Sequence, residues 1–158
     1  MKIILLTTLP NRVASALECL LKENLYIFDI TKIKDKKNVI LKSIYNNSPD
    51  ILITYRCPYI LPDEIITALP FGAYNIHPSL LPKYKGCNPW TEIFNNHEST
   101  SGVTLHRITK KIDCGMIVFQ ESFNINADDN VKSARDKADK IAEKIAINFV
   151  KNLNYLYL

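Results

Sequence analysis

Hydrophobic residues along the chain fall into short apolar runs that alternate with stretches of helical spacing. Lys2 to Leu9 is a near-continuous apolar run, the pattern of a strand covered on both faces. Pro10-Asn11 breaks it, and Val13, Ala16, Leu17, Leu20 and Leu21 then recur at the spacing of an amphipathic helix. Leu25 to Ile30 reads as a second strand. A helix over Asn38 to Asn47 follows, with Val39, Leu41, Ile44 and Tyr45 as its expected apolar set. Asp50 to Tyr55 is another buried-strand run. Pro62 suits the first turn of a short helix that buries Ile65, Ile66 and Leu69, and Ala73 to Ile76 forms the next strand.

Strand-helix alternation of this kind predicts an α/β fold, a doubly wound, Rossmann-like and mostly parallel sheet. The second half changes character. Asn88 to Phe94 reads as helix, while Gly102 to Ile108 and Met116 to Ile125 read as strands joined by a turn-rich segment, Lys110 to Gly115. Two strands joined so closely predict an antiparallel extension of the sheet. One long helix, Asp128 to Leu153, closes the pattern on a stripe of Val131, Ala134, Ala138, Ile141, Ala142, Ile145 and Phe149. Asp128 and Asp129 are expected in its first turn, favoured by the helix dipole. Neither an internal repeat nor a linker interrupts the 158 residues, which read as one domain.

Composition narrows the classes of function. Hydrophobic residues at 47% and charged residues at 23% are ordinary globular values. A net charge of +4, with lysines dispersed except at Lys34 to Lys37 and Lys110-Lys111, gives no long basic arm for nucleic acid. The four cysteines, Cys19, Cys57, Cys87 and Cys114, form no CxxC pair, so neither a zinc site nor a disulfide framework is expected. No apolar run reaches membrane-spanning length and the N-terminus reads as a core strand, which makes a reducing cytoplasm the expected compartment. The apolar segment Asn154 to Leu158 hints at packing on the domain or on a second subunit, as in a homodimer.

In an open α/β sheet, ligands bind beyond the carboxyl ends of the strands. Three such ends are Thr7 to Asn11, Tyr55 to Tyr59 and Asn75 to Ser79. The last carries Asn75-Ile76-His77-Pro78-Ser79-Leu80-Leu81-Pro82, then Lys83-Tyr84-Lys85-Gly86. Residues two apart on a strand share a face, so Asn75 and His77 can point into one crevice, and Pro78 holds His77 extended. On spacing alone a solvated histidine at the head of a Pro-rich loop fits as well. GxGxxG, Walker and GxSxG motifs are absent, which withdraws the usual support for dinucleotide binding, P-loop phosphoryl transfer and serine hydrolysis. The polar candidates are Asn75, His77, His106 and Asp113. By local features Asp113, between two lysines and Cys114-Gly115, is a turn aspartate.

The ordered set of Asn75 to Pro82, Gly86, Pro89, Gly102-Val103-Thr104 with His106, and Asp113-Cys114-Gly115 resembles the catalytic domain of the folate-dependent formyltransferases. That family includes glycinamide ribonucleotide, methionyl-tRNA and amino-sugar formyltransferases and the formylation domains of peptide synthetases. The likeness is strongest from Asp50 to Gln120. It implies Asn75, His77 and Asp113 as catalytic residues and 10-formyltetrahydrofolate as formyl donor, without a metal. Asn75 would polarise the carbonyl, His77 stabilise the oxyanion or transfer a proton, and Asp113 orient the histidine and relay the proton. The folate pocket would be built from Tyr55, Arg56, Cys57, Tyr59, Ile60 and Leu61 and from Lys110, Lys111, Ile112, Cys114 and Gly115. Thr8, Asn11, Ser79, Lys85, Gly86 and Trp90 would border the acceptor.

Departures bear on the acceptor. After the first strand the chain reads Thr7-Thr8-Leu9-Pro10-Asn11-Arg12, without the glycines that let backbone amides approach a phosphate. Lys85 stands where many members have arginine, and Cys114 where threonine is more usual. The reading is an N-formyltransferase acting on a primary amine of a small molecule such as an amino-sugar nucleotide, glycinamide ribonucleotide or an aminoacyl group. A formyltetrahydrofolate hydrolase and a non-catalytic folate-binding module are the competing readings.

Overall fold

The structure is a computed structural model that describes residues 1–157, with side chains through Leu153. The side chains of the Asn154 to Leu158 tail, on which the dimer expectation rests, lie outside the described residues. Six strands, β1 (Ile3–Thr7), β2 (Leu25–Asp29), β3 (Ile51–Tyr55), β4 (Ala73–His77), β5 (Thr100–Arg107) and β6 (Ile117–Asn124), form one sheet in the order β2-β1-β3-β4-β5-β6. The β1 to β4 pairs are parallel, and β5 and β6 add antiparallel to the β4 edge. The mostly parallel, Rossmann-like sheet with its antiparallel extension is therefore present as expected.

Every residue of β1 and of β3 is buried, because helices cover both faces. Alternate side chains sort into two cores. Ile3 and Leu5 meet α1 (Arg12–Leu21) and α5 (Val131–Tyr157) through Val13, Leu17, Ala134, Ala138 and Ala142. Ile4 and Leu6 meet α2 (Lys36–Asn47) and α3 (Asp63–Thr67) through Ile40 and Ile65. The small residues at four-residue spacing on α5 let that helix lie close to α1 and the sheet. A short α4 (Pro89–Asn95) starts with Pro89 in its first turn and buries Trp90 and Ile93.

Capping explains several helix starts, and the helices correct several expectations. Asn11 Oδ1 accepts from the Ala14 amide at 2.9 Å to open α1. Asp35 Oδ1 accepts from the Asn38 amide at 3.3 Å, which opens α2 at Lys36, before the expected Asn38. The α2 face is also rotated from the expected one. Ile40 is fully buried with Leu41 and Ile44 packed beside it, whereas Val39 and Tyr45 are 38% and 87% exposed. For α5, Asp128 and Asp129 precede the helix instead of lying in its first turn. Asn130 Oδ1 accepts from the Lys132 and Ser133 amides, so asparagine, not the acidic pair, supplies the cap. Pro62 likewise sits at the N-cap of α3, one residue ahead of its first turn.

Candidate active site

The site is assembled by strand register. Thr54 on β3 pairs with Asn75 on β4, and Asn75 pairs with His106 on β5. In-register neighbours project from the same face, so three polar side chains stand side by side at the carboxyl end of the parallel strands. The Thr54 hydroxyl donates to Asn75 Oδ1 at 2.8 Å. That contact fixes the amide, leaving Asn75 Nδ2 turned toward His106 Nε2 at 3.2 Å and Asp113 Oδ1 at 3.4 Å.

Asp113 reaches this row from the β5–β6 connection in a left-handed backbone conformation, φ 50°. The turn is held against β5 by Gly115, where a Cβ would sit 1.7 Å from the Arg107 carbonyl oxygen. From the other side, Gly86, at φ 99°, donates its amide to Asp113 Oδ2 at 2.8 Å. The carboxylate is thereby placed between two imidazoles, with His77 Nδ1 at 3.5 Å from Oδ2 and His106 Nε2 at 3.3 Å from Oδ1.

Both rings have their tautomer set by a carbonyl, which can only accept. His77 donates Nε2–H to the Tyr84 carbonyl at 2.8 Å and His106 donates Nδ1–H to the Arg107 carbonyl at 3.0 Å. When the rings are neutral, each presents a lone pair to Asp113. Burial pushes His77 below the ordinary histidine value, opposed by the Asp113 charge and the Tyr84 carbonyl. For Asp113, burial acts upward, but the His106 hydrogen bond, the Gly86 amide and the charge on the two histidines outweigh it and hold the carboxyl at about 2. At neutral pH Asp113 is thus a carboxylate, held between His77 Nδ1 and His106 Nε2, and either ring can donate to it only when protonated.

A cavity of about 410 Å³ opens over this row, within the size range of small-molecule sites. Asn75, His77, His106 and Asp113 line it together with Tyr55, Arg56, Cys57, Tyr59, Ile60 and Leu61 after β3, and Lys110, Lys111 and Ile112 before Asp113. Thr8, Gly86 and Trp90 line it as well. Trp90 is nevertheless 5% exposed and belongs to the core beneath α4. Lys110 is turned to Asp63 on α3, 2.6 Å away.

Five sequence-predicted residues are placed apart from the cavity lining, and their contacts explain why. Asn11 spends its side chain capping α1 and donating to Thr7 Oγ1 at 2.7 Å. Ser79 is fully buried and donates to the Lys83 carbonyl at 2.8 Å, which shapes the loop after β4. Thr104 completes that loop, donating to the Ser79 carbonyl at 2.6 Å and accepting from the Leu81 amide. Lys85 donates its amine to Cys114 Sγ at 3.0 Å, outside the lining, and Gly115 serves the turn.

Several lining residues, Thr54 among them, had no sequence signal as site residues. Arg135 and Asp139 come from α5. Asp139 accepts from the Tyr55 hydroxyl, and Arg56 Nη1 lies 3.5 Å from its other oxygen. Burial, then the Asp139 contact, pushes the Tyr55 hydroxyl well above the usual tyrosine value. His106 was visible in the sequence as a polar candidate, and the register with Asn75 gives it a place in the cluster.

Amide donor, paired imidazoles and carboxylate at the strand ends of a doubly wound sheet are equipment for acyl-type transfer, in which an oxyanion forms and an amine loses a proton. A formyl transferase family profile matches residues 10–150. Methionyl-tRNA formyltransferase of Kosmotoga olearia is 36% identical over 106 residues, 67% of this chain and 34% of that protein. Bifunctional polymyxin resistance protein ArnA of Wigglesworthia glossinidia brevipalpis is 46% identical over 89 residues, 56% of this chain and 14% of that protein. Phosphoribosylglycinamide formyltransferase from Bacillus halodurans superposes with a TM-score of 0.79 at 16% identity, covering 92% of this chain and 91% of that one. This chain belongs to the formyl transferase family. It spans about a third of the tRNA-formylating relative it matches. Among the described residues, no helix is long and apolar enough to cross a membrane, and no group of three His, Cys, Asp or Glu could hold a metal ion.

Proposed function

We propose that this domain transfers a formyl group from 10-formyltetrahydrofolate to a primary amine on a small molecule. The supporting observation is the Asp113 carboxylate held between His77 Nδ1 and His106 Nε2, with Asn75 Nδ2 fixed beside it at the floor of the cavity. The fit is chemical. A formyl carbonyl needs a hydrogen-bond donor that strengthens as its oxygen becomes an oxyanion, and Asn75 Nδ2 is oriented for that by Thr54. A neutral amine attacking the formyl carbon must lose a proton. The lone pairs of His77 and His106, with Asp113 beside them, accept it directly or through one water. As the tetrahedral centre collapses, the bond from carbon to the donor nitrogen breaks, and the proton is returned to that nitrogen. Atoms and charge balance: the amine loses one hydrogen and gains the formyl group, and the donor leaves as tetrahydrofolate.

On this reading the segments Tyr55 to Leu61 and Lys110 to Asp113 hold the folate, and Thr8, Gly86, Trp90, Arg135 and Asp139 face the acceptor. Single-domain organisation for residues 1–158 goes with it. The test is a panel of amines, including nucleotide-linked amino sugars, glycinamide ribonucleotide and amino acid esters, incubated with donor and enzyme and read by mass for one added formyl group. One formylated amine, lost in Asp113→Asn, supports the assignment. Donor deformylated without any amine would make the domain a hydrolase, and donor bound without turnover would make it a binding module.

A further inference from the structure

His77 has two partners that compete for the proton of its neutral ring. Asp113 Oδ2 is 3.5 Å from Nδ1, and a carboxylate there favours a proton on Nδ1. The Tyr84 carbonyl is 2.8 Å from Nε2 and, being an acceptor only, favours a proton on Nε2. Only the second arrangement leaves a lone pair on the Asp113 side of the ring. The position of one backbone carbonyl therefore decides which nitrogen can accept a proton.

That carbonyl belongs to a residue in a strained conformation. Tyr84 has φ 57°, in the left-handed region that bulky side chains seldom adopt and that persists only where the surroundings hold it. On the inner side the buried Ser79 hydroxyl is 2.8 Å from the Lys83 carbonyl and 3.3 Å from the Tyr84 carbonyl. On the outer side the Tyr84 hydroxyl donates to Glu98 Oε1 at 2.6 Å and accepts from Asn96 Nδ2 at 3.2 Å. Glu98 is in turn held by the tight turn between α4 and β5, where the Asn96 amide donates to the Glu92 carbonyl at 2.9 Å and the Glu98 amide to the Ile93 carbonyl at 3.2 Å. The Tyr84 hydroxyl first, and then Lys83, keeps the Glu98 carboxyl below the usual carboxylate range, so it is an anion at neutral pH. Tyr84, Asn96 and Glu98 all stand outside the cavity lining.

We propose that Glu98, acting through the Tyr84 hydroxyl, is a positioning residue that fixes the ring tautomer of His77. Its effect on turnover rests on the formyl-transfer reading above; its effect on the ring does not. With the phenol released, Tyr84 relaxes out of the left-handed region and its carbonyl turns away from Nε2. The proton then moves to Nδ1, where Asp113 accepts it, and the lone pair on that side is lost. A plain surface ion pair accounts for Lys83, which is 69% exposed and 3.2 Å from Glu98. It does not account for a shorter phenol-to-carboxylate bond closed over the residue whose carbonyl meets the histidine.

The test is heteronuclear NMR of the imidazole nitrogens, with the His77 signals assigned by their loss in His77→Gln, alongside steady-state kinetics on the amine that the panel above identifies. In the unaltered protein His77 is expected as the Nε2–H tautomer. Tyr84→Phe keeps the ring and deletes the hydroxyl, and Glu98→Ala deletes its acceptor. Each should shift His77 toward the Nδ1–H tautomer and lower kcat about tenfold with KM for the donor nearly unchanged, the pattern of a misplaced reacting group. Glu98→Gln, whose amide oxygen still accepts from the phenol, should recover most of both losses. Lys83→Ala, which removes only the ion pair, should change neither. An Nε2–H tautomer that persists in Tyr84→Phe and Glu98→Ala would overturn the assignment, as would equal losses in Glu98→Gln and Glu98→Ala. If the unaltered protein formylates no amine, the formyl-transfer reading fails while the tautomer still decides the role of Glu98, so the two failures are separable. Tyr84→Phe leaves the ring packed on the core, which keeps the test decisive should Glu98→Ala disturb folding.

Discussion

Thr54 and Asn75 are locked together across adjacent strands: the threonine hydroxyl donates to Asn75 Oδ1 at 2.8 Å, so only the amide nitrogen is free to face the cavity. An asparagine amide can flip by half a turn at little cost in space, and a flipped Asn75 would offer an acceptor where the proposed reaction needs a donor. Thr54→Val keeps the shape and removes the lock. The expected result is a fall in kcat of about tenfold to hundredfold with KM for the donor nearly unchanged, the range that small misplacements of a reacting group produce. Steady-state kinetics with a formylated amine as readout checks it, and an unchanged kcat would show that the amide is held by other means.

The protonation states make a prediction with a definite sign. His77 titrates below its ordinary value of 6.5, so it is neutral and proton-accepting down through that value. The acid limb of kcat/KM is expected below pH 6.5 and absent in His77→Gln. Stability follows the same direction. Between the unfolded value and the lower folded value the unfolded chain binds a proton that the folded chain refuses, so stability falls as pH drops below 6.5. The Asp113 contribution is complete above 3.8 and is lost as pH falls from there toward about 2. Denaturant titrations from pH 8 to pH 3 read both; a stability maximum at pH 5 would contradict the His77 assignment.

Gly115 separates the architecture of the turn from its chemistry. Gly115→Ala puts a methyl 1.7 Å from the Arg107 carbonyl oxygen, a distance no side-chain adjustment relieves. The turn carrying Asp113 must move. Turnover is expected to fall at least about a hundredfold, since an ångström of displacement suffices for that. Far-UV circular dichroism should stay close to that of the unaltered protein.

A gain in stability is expected at Ser101. Its hydroxyl is buried on β5 with no hydrogen-bond partner among the described residues. Ser101→Ala removes an unsatisfied polar group and should raise stability by about 1 kcal/mol, measured as a higher denaturant midpoint. A lower midpoint would mean that the hydroxyl has a partner in solution.

Much of this was legible in the sequence, for identifiable physical reasons. Buried parallel strands read as unbroken apolar runs, so β1 and β3 were plain. Pro78 after His77 and the glycines at 86 and 115 marked the turns that the site needs. The α2 face was misplaced because Val39 and Tyr45 satisfy the helical spacing as well as Ile40 does, and only docking onto Ile4 and Leu6 chooses between them. Ser79 was expected at the acceptor from the family resemblance alone, but the chain turns there and buries the hydroxyl against the Lys83 carbonyl. Arg135 and Asp139 left no trace, since a polar position on an amphipathic helix looks the same whether it faces water or a cavity.

The position of α5 has a consequence for how the protein matures. By the end of β6 at Asn124 a growing chain already contains Asn75, His77, His106 and Asp113. It still lacks the α5 side chains, from Ala134 to Phe149, that cover one face of the sheet together with α1, and the Asp139 carboxylate that Tyr55 donates to. The polar cluster is thus encoded before the helix that completes its surroundings. The last part of the cavity lining to be made is therefore Arg135 and Asp139, the two residues that α5 adds to it.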